Sequence, residues 1–324
     1  MQIDPSARLP TASVGRPARI MASRFPHPLH GTRFGMSTDR INQELDDARR
    51  SGPVRDIIIP PCPELLVRLQ AATATAEPDV VEIDRIASAD VAMAAALIRR
   101  ANSPLYALEH RVNTVGQAMT VIGLQPAVRL LSGFLTRQAI RPQSAMLAHF
   151  WESSTRRALA CEHIGRLLYS MDAGLAYSFG LFCHVGMPVM MQGVKGYGST
   201  ITEALARKDR TFVQTENANH RTDHAVVGAI VARTWRLPTD AAVAIRLHHD
   251  FSCLDGGTFS QDVRNLVAIG LIAEHLVQRH EQAPESREWQ KHGEACLAFL
   301  QVDASEVELW EDQLHPALAA VTLN

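Results

Sequence analysis

A helical repeat of apolar residues, present from about residue 57 onward, constrains the fold of this chain more than any other feature. Val115, Ala118 and Ile122 illustrate the pattern, because their spacing places all three on one side of a helix. No stretch alternates apolar and polar residues for long enough to require a β-strand. The sequence therefore predicts an all-α fold.

Helix starts are marked by side chains that can accept hydrogen bonds from unpaired backbone N–H groups. Thr114 with Gln117, and Thr200 with Glu203, have the spacing of a capping box. Pro63 suits the first turn of a helix, where a missing N–H costs little. Further helices are predicted over residues 126–140, 147–169, 178–192, 200–208, 223–235, 239–249, 260–280, 286–300 and 303–320.

Composition argues against several classes of protein. The 324 residues carry a formal net charge of -2, so direct binding to nucleic acid is not expected. No apolar run approaches the roughly 20 residues that a membrane-spanning helix needs, so no membrane association is expected. The 5 cysteines are never spaced as Cys-x-x-Cys, which favours reduced thiols and a cytoplasmic location over a disulfide framework.

The first 35 residues differ from the rest of the chain. Prolines mixed with Arg, Ser and Thr occur there without an apolar repeat, and we expect residues 1–35 to form a disordered tail. Translation from Met1 and translation from Met36 both stay open. Residues 36–56 are predicted to form a lead-in helix, and a chain that starts at Met36 is expected to keep its melting temperature.

Several short motifs follow one another in the order and spacing of a known family. Those in the first half are Pro60-Pro-Cys-Pro63, Ala101-Asn-Ser-Pro-Leu-Tyr106, and the run from Ala118 to Ile122-Gly123-Leu124. Those in the second half are Phe150-Trp151, the segment around His184, Glu216 with Asp223-His224 and Gly228, Trp235-Arg-Leu-Pro238, and His248-His249. Together they resemble the HDOD family over about residues 57–280.

The resemblance implies a fold of two packed helical subdomains, of which the second is an HD-like helical bundle. On this basis residues 57–145 are predicted to form the N-terminal subdomain and residues 146–280 the HD-like subdomain. Residues 281–324 would then form a C-terminal helical extension. HDOD proteins are signalling or regulatory modules that commonly lack hydrolytic activity, and the resemblance implies the same for this chain.

The His-Asp signature of the HD superfamily is altered in this chain. His184 is followed by Val185, whereas the resemblance places there an aspartate that bridges two metal ions. Ser153 stands where an HD enzyme would carry another histidine ligand. Because valine has no lone pair to offer, the resemblance implies that the hydrolytic metal pair is lost.

Other positions of the former site keep groups that are able to bind metal. His224, His248 and His249 match the later histidines of the HD pattern, and Glu274 falls near its closing aspartate. One interpretation is a set of buried, neutral, hydrogen-bonded histidines that stabilise the fold. The other is a residual zinc site of three histidines. We expect the first, with no catalytic residue, no metal and no cofactor.

The sequence therefore predicts a non-catalytic signal-transduction protein of bacterial type that acts through signalling protein partners. A nucleotide sensor that uses the metal-free HD pocket and a weak metal-dependent phosphohydrolase are the alternatives. We expect the cleft between the two subdomains to be the regulatory surface, because such clefts are common ligand sites.

Overall fold

The computed structural model describes residues 37–141 and 144–321, and within these ranges it contains helices and connecting segments but no β-strand. The all-α prediction is confirmed. The predictions for the tail and the start site fall on residues 1–36, which lie outside the described ranges.

The α-helices are α1 (Thr38–Ser51), α2 (Glu64–Thr73), α3 (Val80–Ser88), α4 (Val91–Ala101), α5 (Val115–Ile122), α6 (Leu124–Ala139), α7 (Phe150–Leu167), α8 (Ala173–Phe182), α9 (Gly186–Gly193), α10 (Tyr197–Ala206), α11 (Phe212–His220), α12 (His224–Thr234), α13 (Thr239–Leu247), α14 (Gln261–His280), α15 (Arg287–Leu300) and α16 (Ala304–Ala319). Short 3-10 helices span Pro104–Tyr106, Ala145–Leu147 and Phe251–Asp255.

Helices α2 to α6 form the first half of the fold, and they pack through the apolar stripes that the sequence predicts. In α5, Val115 and Ile122 are both buried. Thr114 caps this helix by accepting a hydrogen bond from the N–H of Gln117, as predicted. The chain then turns at Gly123, whose φ of 89° favours glycine, and α5 and α6 are bent by 116° at this point.

Helices α7 to α14 form the HD-like bundle, in which some helices approach one another very closely. Gly180 on α8 lies against α7, where an added Cβ would be 2.9 Å from the Cα of Ala158. Gly186 at the start of α9 lies against α12, where an added Cβ would be 2.0 Å from the carbonyl oxygen of His224. Only glycine fits at such separations, so these positions fix how α8 and α9 pack against their neighbours.

The predicted continuous helix over residues 178–192 is wrong. The structure interrupts it, because α8 ends at Phe182 and α9 begins at Gly186. The interruption lets the backbone of Gly186 approach the start of α12. It also places His184 in the connection between two helices, which becomes important for the site described below.

Helix α10 begins at Tyr197, so the predicted capping box at Thr200 is wrong as well. Thr200 lies inside the helix, and its hydroxyl is 2.8 Å from Nε2 of His220. The sequence analysis also missed α11. A signal for this helix was present, because Thr211 and Gln214 form a capping box at its start.

One stretch of the described chain is long and apolar enough to span a membrane, contrary to the expectation from the sequence. It is Ala173–Gly193, and 67% of its most apolar window is buried inside the fold. Helices α5 and α6 would reach such a length only as a bent pair. The buried position of Ala173–Gly193 in the bundle accounts for its apolar composition.

Both ends of the described chain pack onto the HD-like bundle. Glu44 on α1 forms an ion pair with Arg246 on α13 at 2.6 Å. Near the other end, Arg156 on α7 donates hydrogen bonds to the carbonyl oxygens of Leu318 and Val321. The described helices belong to one compact unit, and the predicted subdomain boundaries within it stay predictions.

Candidate metal centre

Four histidines from three parts of the HD-like bundle converge in its interior. His184 lies between α8 and α9, and His224 is the first residue of α12. His248 and His249 directly follow α13. One ring nitrogen from each of the four lies within 4.8 Å of those of the other three. The structure thus brings together all the histidines that the sequence analysis assigned to the former site.

Local sequence explains how these residues reach the same point. Asp223 caps α12 by accepting a hydrogen bond from the N–H of Val226 at 2.9 Å, and this fixes His224 in the first turn. Successive side chains of a regular helix point about 100° apart. Because α13 ends at Leu247, His248 and His249 are released from that constraint and both side chains enter the cluster.

The distances from Nε2 of His224 to the other three ring nitrogens are close to those between ligands of one small ion. Nε2 of His224 lies 3.2 Å from Nδ1 of His184 and 3.3 Å from Nε2 of His248. It lies 3.1 Å from Nε2 of His249. In a tetrahedral zinc site with Zn–N bonds of about 2.0–2.1 Å, neighbouring nitrogens are separated by roughly 3.3–3.4 Å.

The outward nitrogens of two histidines are hydrogen-bonded to carboxylates. Nδ1 of His224 lies 2.7 Å from Oε2 of Glu216, a side chain that is fully buried. Nδ1 of His249 lies 2.8 Å from both carboxylate oxygens of Glu288 on α15. Since an ionised carboxylate only accepts hydrogen bonds, each Nδ1 carries a proton, and Nε2 is the nitrogen whose lone pair can face the centre of the cluster.

The outward nitrogens of the other two histidines are also occupied. Nδ1 of His248 donates to the carbonyl oxygen of Ile245 at 2.7 Å. Nε2 of His184 hydrogen-bonds Oε1 of Glu274, and the same oxygen lies 3.2 Å from Nε of Arg157. Glu274 was expected near the closing aspartate of the site, and the structure places it as the partner that orients His184.

Burial keeps two of the rings uncharged near neutral pH. It lowers the pKa of His184 well below the ordinary value, and the positive charge of Arg157 lowers that pKa further. Burial also lowers the pKa of His248 well below the ordinary value. For His249 burial acts in the same direction, but the carboxylates of Glu288, Glu274 and Glu216 together outweigh it, and the pKa of His249 is raised.

Lone pairs therefore face one another at the centre of the cluster. His184 and His248 are neutral with their outward N–H groups engaged, so neither has a proton to donate inward. Nε2 of His224 therefore faces two ring nitrogens that cannot donate a hydrogen bond to it. A cation at the centre relieves the repulsion, and imidazole suits zinc, copper, iron and nickel. The donor set fits one such ion.

The same residues do not fit the pair of metal ions that the resemblance associates with this fold. Val185 is fully buried and offers no carboxylate to bridge two ions. Oε1 of Glu274 is already engaged by His184 and an arginine. Ser153 is not part of the cluster, because its hydroxyl hydrogen-bonds Glu281 at 3.1 Å. A single ion is therefore the occupant that these side chains suit.

The sequence analysis missed Glu288, which orients one of the four rings. Glu288 lies on α15, inside the segment predicted as a C-terminal extension. The only local signal is a helix start, since Ser286 accepts a hydrogen bond from the N–H of Trp289. No spacing rule relates Glu288 to His249, which precedes it by 39 positions.

Comparisons with known sequences cover most of the described chain. The sequence profile described as the HDOD domain matches residues 59–251. An uncharacterised protein of Treponema pallidum (strain Nichols) is 23% identical over 195 residues, which make up 59% of this chain and 38% of that protein. The chain thus spans well under half the length of this curated relative.

Solved structures share the fold at low sequence identity. A protein from Marinobacter aquaeolei VT8, provisionally described as a signal transduction protein, has a TM-score of 0.68 at 19% identity over 88% of this chain and 67% of that chain. A protein from Shewanella amazonensis SB2B, provisionally described as a phosphohydrolase, has a TM-score of 0.63 at 19% identity over 85% of this chain and 93% of that chain. At these identities the likeness shows the HD-like helical fold alone.

Proposed function

Because the chain belongs to the HDOD family, we propose that it is a non-catalytic signal-transduction protein whose HD-like bundle holds a single metal ion. The observation that carries this proposal is the convergence of four imidazoles whose nitrogens lie within 4.8 Å of one another. Structural zinc sites are closed by four protein ligands, whereas catalytic sites keep one position open for water or substrate. Four histidines around one ion leave no open position.

The residue at position 185 supports the loss of hydrolysis independently. Two-metal hydrolases hold the attacking and leaving oxygens between ions that are about 3.5–4 Å apart. With Val185 in place of a carboxylate, a second ion has no ligand in common with the first. With an ion bound, the inward nitrogen of each ring would be a metal ligand and the outward nitrogen is engaged by an acceptor, so none of the four rings would have a lone pair left to act as a general base.

This proposal departs from the expectation that no metal is bound. The alternative weighed from the sequence was a residual site of three histidines, and the structure adds a fourth ring oriented by a carboxylate. An ion at this point would connect the α8–α9 junction with α12 and α13. Because binding of a metal to a folded site adds to the folding free energy, the ion would stabilise the bundle.

A protein without turnover acts through what it binds, so we propose protein partners in signalling as the output of this chain. The neighbour provisionally described as a signal transduction protein supports a role of this class. The net charge of -2 gives no support to a nucleic-acid partner. A cytoplasmic location is proposed because all 5 cysteines are free.

Elemental analysis of the purified chain, together with an assay of phosphodiester hydrolysis, tests this proposal. We expect a transition-metal ion in equimolar amount and no turnover of bis(p-nitrophenyl) phosphate with added Mn²⁺ or Zn²⁺. The variant His249→Gln should lose much of the metal, whereas His110→Gln, at an exposed position, should keep it.

Two outcomes would contradict the proposal. Turnover that is abolished in His249→Gln would show a metal-dependent phosphohydrolase. A chain that contains no metal and does not take it up from solution would return the cluster to a purely structural role, and a metal-free nucleotide sensor would then become the better interpretation.

A further inference from the structure

A cavity lies between the two halves of the fold and has a volume of about 580 Å³. Helices α4 and α6 line one side of it, α7 and α8 line the other, and α16 contributes residues from the C-terminal end. None of the four clustered histidines lines this cavity. Its volume falls in the range of about 300–1,000 Å³ that is typical of small-molecule sites.

Five arginines and a single carboxylate line this cavity, which we call the arginine cavity. The carboxylate belongs to Glu162, which is buried and forms ion pairs with Arg129 at 2.7 Å and with Arg166. The guanidinium groups of the other three arginines make no hydrogen bond or ion pair with any residue in ranges 37–141 and 144–321, although that of Arg137 lies over the Phe134 ring. These three are Arg99, Arg100 and Arg137.

The arginine cavity concentrates positive charge in a chain that is slightly acidic overall. Five arginines less one glutamate leave an excess of four positive charges along its walls, against a net charge of -2 for the whole chain. A concave site lined by one sign of charge attracts ions of the opposite sign. Guanidinium groups bind phosphate oxygens through two parallel hydrogen bonds, so a phosphate group suits these walls.

The arginine cavity also contains groups that suit the rest of an organic phosphate. Tyr106 and Phe134, both half-buried, lie among its lining residues. Aromatic side chains of this kind stack on flat bases without selecting one base strictly. The hydroxyl of Ser103 is buried there and has no hydrogen-bond partner among the described residues, which is uncommon in folded proteins.

We propose that the arginine cavity binds a nucleotide, with its phosphate held by Arg99, Arg100 and Arg137 and its base against the aromatic side chains. Such a ligand would contact α4 and α6 on one side and α7 and α16 on the other. Its binding would therefore depend on how the two halves of the fold pack. The site is separate from the histidine cluster, and the proposal does not rest on a metal ion there.

Thermal denaturation and calorimetric titration of the full chain with the four ribonucleoside 5′-monophosphates test this inference. We expect at least one of them to raise the melting temperature, and the matching nucleoside without phosphate to have no effect. In the double variant Arg100→Gln, Arg137→Gln the dissociation constant should rise by about tenfold or more, since hydrogen bonds to charged groups are among the strongest. Arg55→Gln, at an exposed position outside the cavity, should bind like the unmodified chain.

Three results would overturn the inference. One is that no monophosphate raises the melting temperature. Another is that the double variant binds as tightly as the unmodified chain, which would place the ligand elsewhere. The third is that inorganic pyrophosphate binds as tightly as the nucleotide, which would leave the aromatic side chains without a role. Within the described ranges neither substituted arginine has a hydrogen bond or ion pair to lose from its guanidinium group, and Arg137 loses only its position over the Phe134 ring. The double variant should therefore melt within about 2 °C of the unmodified chain when no ligand is present, and the two single variants show which arginine contributes more to binding.

Discussion

The histidine cluster and the arginine cavity differ in how their charged and polar groups are supported. In the cluster, the outward nitrogen of every ring has an acceptor, as in the contact of His224 with the buried Glu216. In the arginine cavity, the guanidinium groups of Arg100 and Arg137 have neither hydrogen bonds nor ion pairs within the described chain. The first region is oriented by the protein itself, and the second is left open to a partner from solution.

This difference suits the histidine cluster to a permanently bound metal ion and the arginine cavity to a ligand that exchanges with solution. Ligands that are fixed by outer hydrogen bonds bind an ion tightly, because little order has to be created on binding. Side chains without partners stay adaptable, and they can release what they bind. We infer that the cluster maintains the fold, whereas the arginine cavity is where the surroundings of the protein can act on it.

The two regions should differ most in how much stability is lost when one glycine in each is replaced by alanine. Gly186→Ala places a Cβ 2.0 Å from the carbonyl oxygen of His224, so α9 must move away from α12. We expect this change to lower the free energy of unfolding by more than about 3 kcal/mol. Gly133→Ala, beside the arginine cavity, meets only the hydroxyl of Tyr177 at 3.7 Å and should be neutral or stabilising by up to ~1 kcal/mol. Urea denaturation measures the free energy of unfolding of both variants. Equal losses would contradict the expected difference between the two regions.

A second comparison replaces one polar side chain in each region and measures the change in unfolding free energy. His224→Ala leaves the buried carboxylate of Glu216 without its imidazole partner, and we expect a loss of about 2 kcal/mol in the free energy of unfolding. Arg137→Gln removes a side chain that has no hydrogen-bonded partner, so the unfolding free energy should change by less than about 0.5 kcal/mol. Chemical denaturation at one pH compares the two, and a stable His224→Ala protein would show that the cluster is not a structural element.

A smaller effect should be confined to the affinity for metal. Glu288→Gln weakens the acceptor that orients His249, and this should raise the metal dissociation constant by about 10–100-fold. The fold should be unaffected, because Glu288 is only half-buried. Competition with a chelator of known affinity measures the change. Glu285→Gln, at a nearby exposed position, is the matched control, and an identical response of both variants would exclude an orienting role for Glu288.

Much of the fold follows from the sequence, because helix formation here depends on local patterns. The buried stripe of α5 and its cap at Thr114 were predicted, although the side chain of Gln117 accepts a hydrogen bond from the N–H of Asn113 and does not complete the capping box. The interruption before Gly186 was not, since the reason for it is a backbone contact with His224 that lies far along the chain. The start of α10 at Tyr197 was missed because a threonine and a glutamate happen to have capping spacing inside the helix.

The candidate site was predicted as a set of residues but not as a geometry. Helical periodicity indicated that His224 and His248 point inward, and both are buried. It gave no distances between rings on different helices, so it could not show that four nitrogens meet. Glu288 could not be found at all, because its contact with His249 joins segments that no motif connects.

X-ray absorption spectroscopy at the edge of the metal found in the purified chain tests the central claim most directly. The claim is one ion closed by four histidines. For zinc, the account predicts four nitrogen ligands at about 2.0–2.1 Å, and no second metal at the roughly 3.5–4 Å typical of two-metal hydrolases. A metal–metal vector at that distance, or a water oxygen in place of one imidazole, would contradict the closed site and restore the case for hydrolysis.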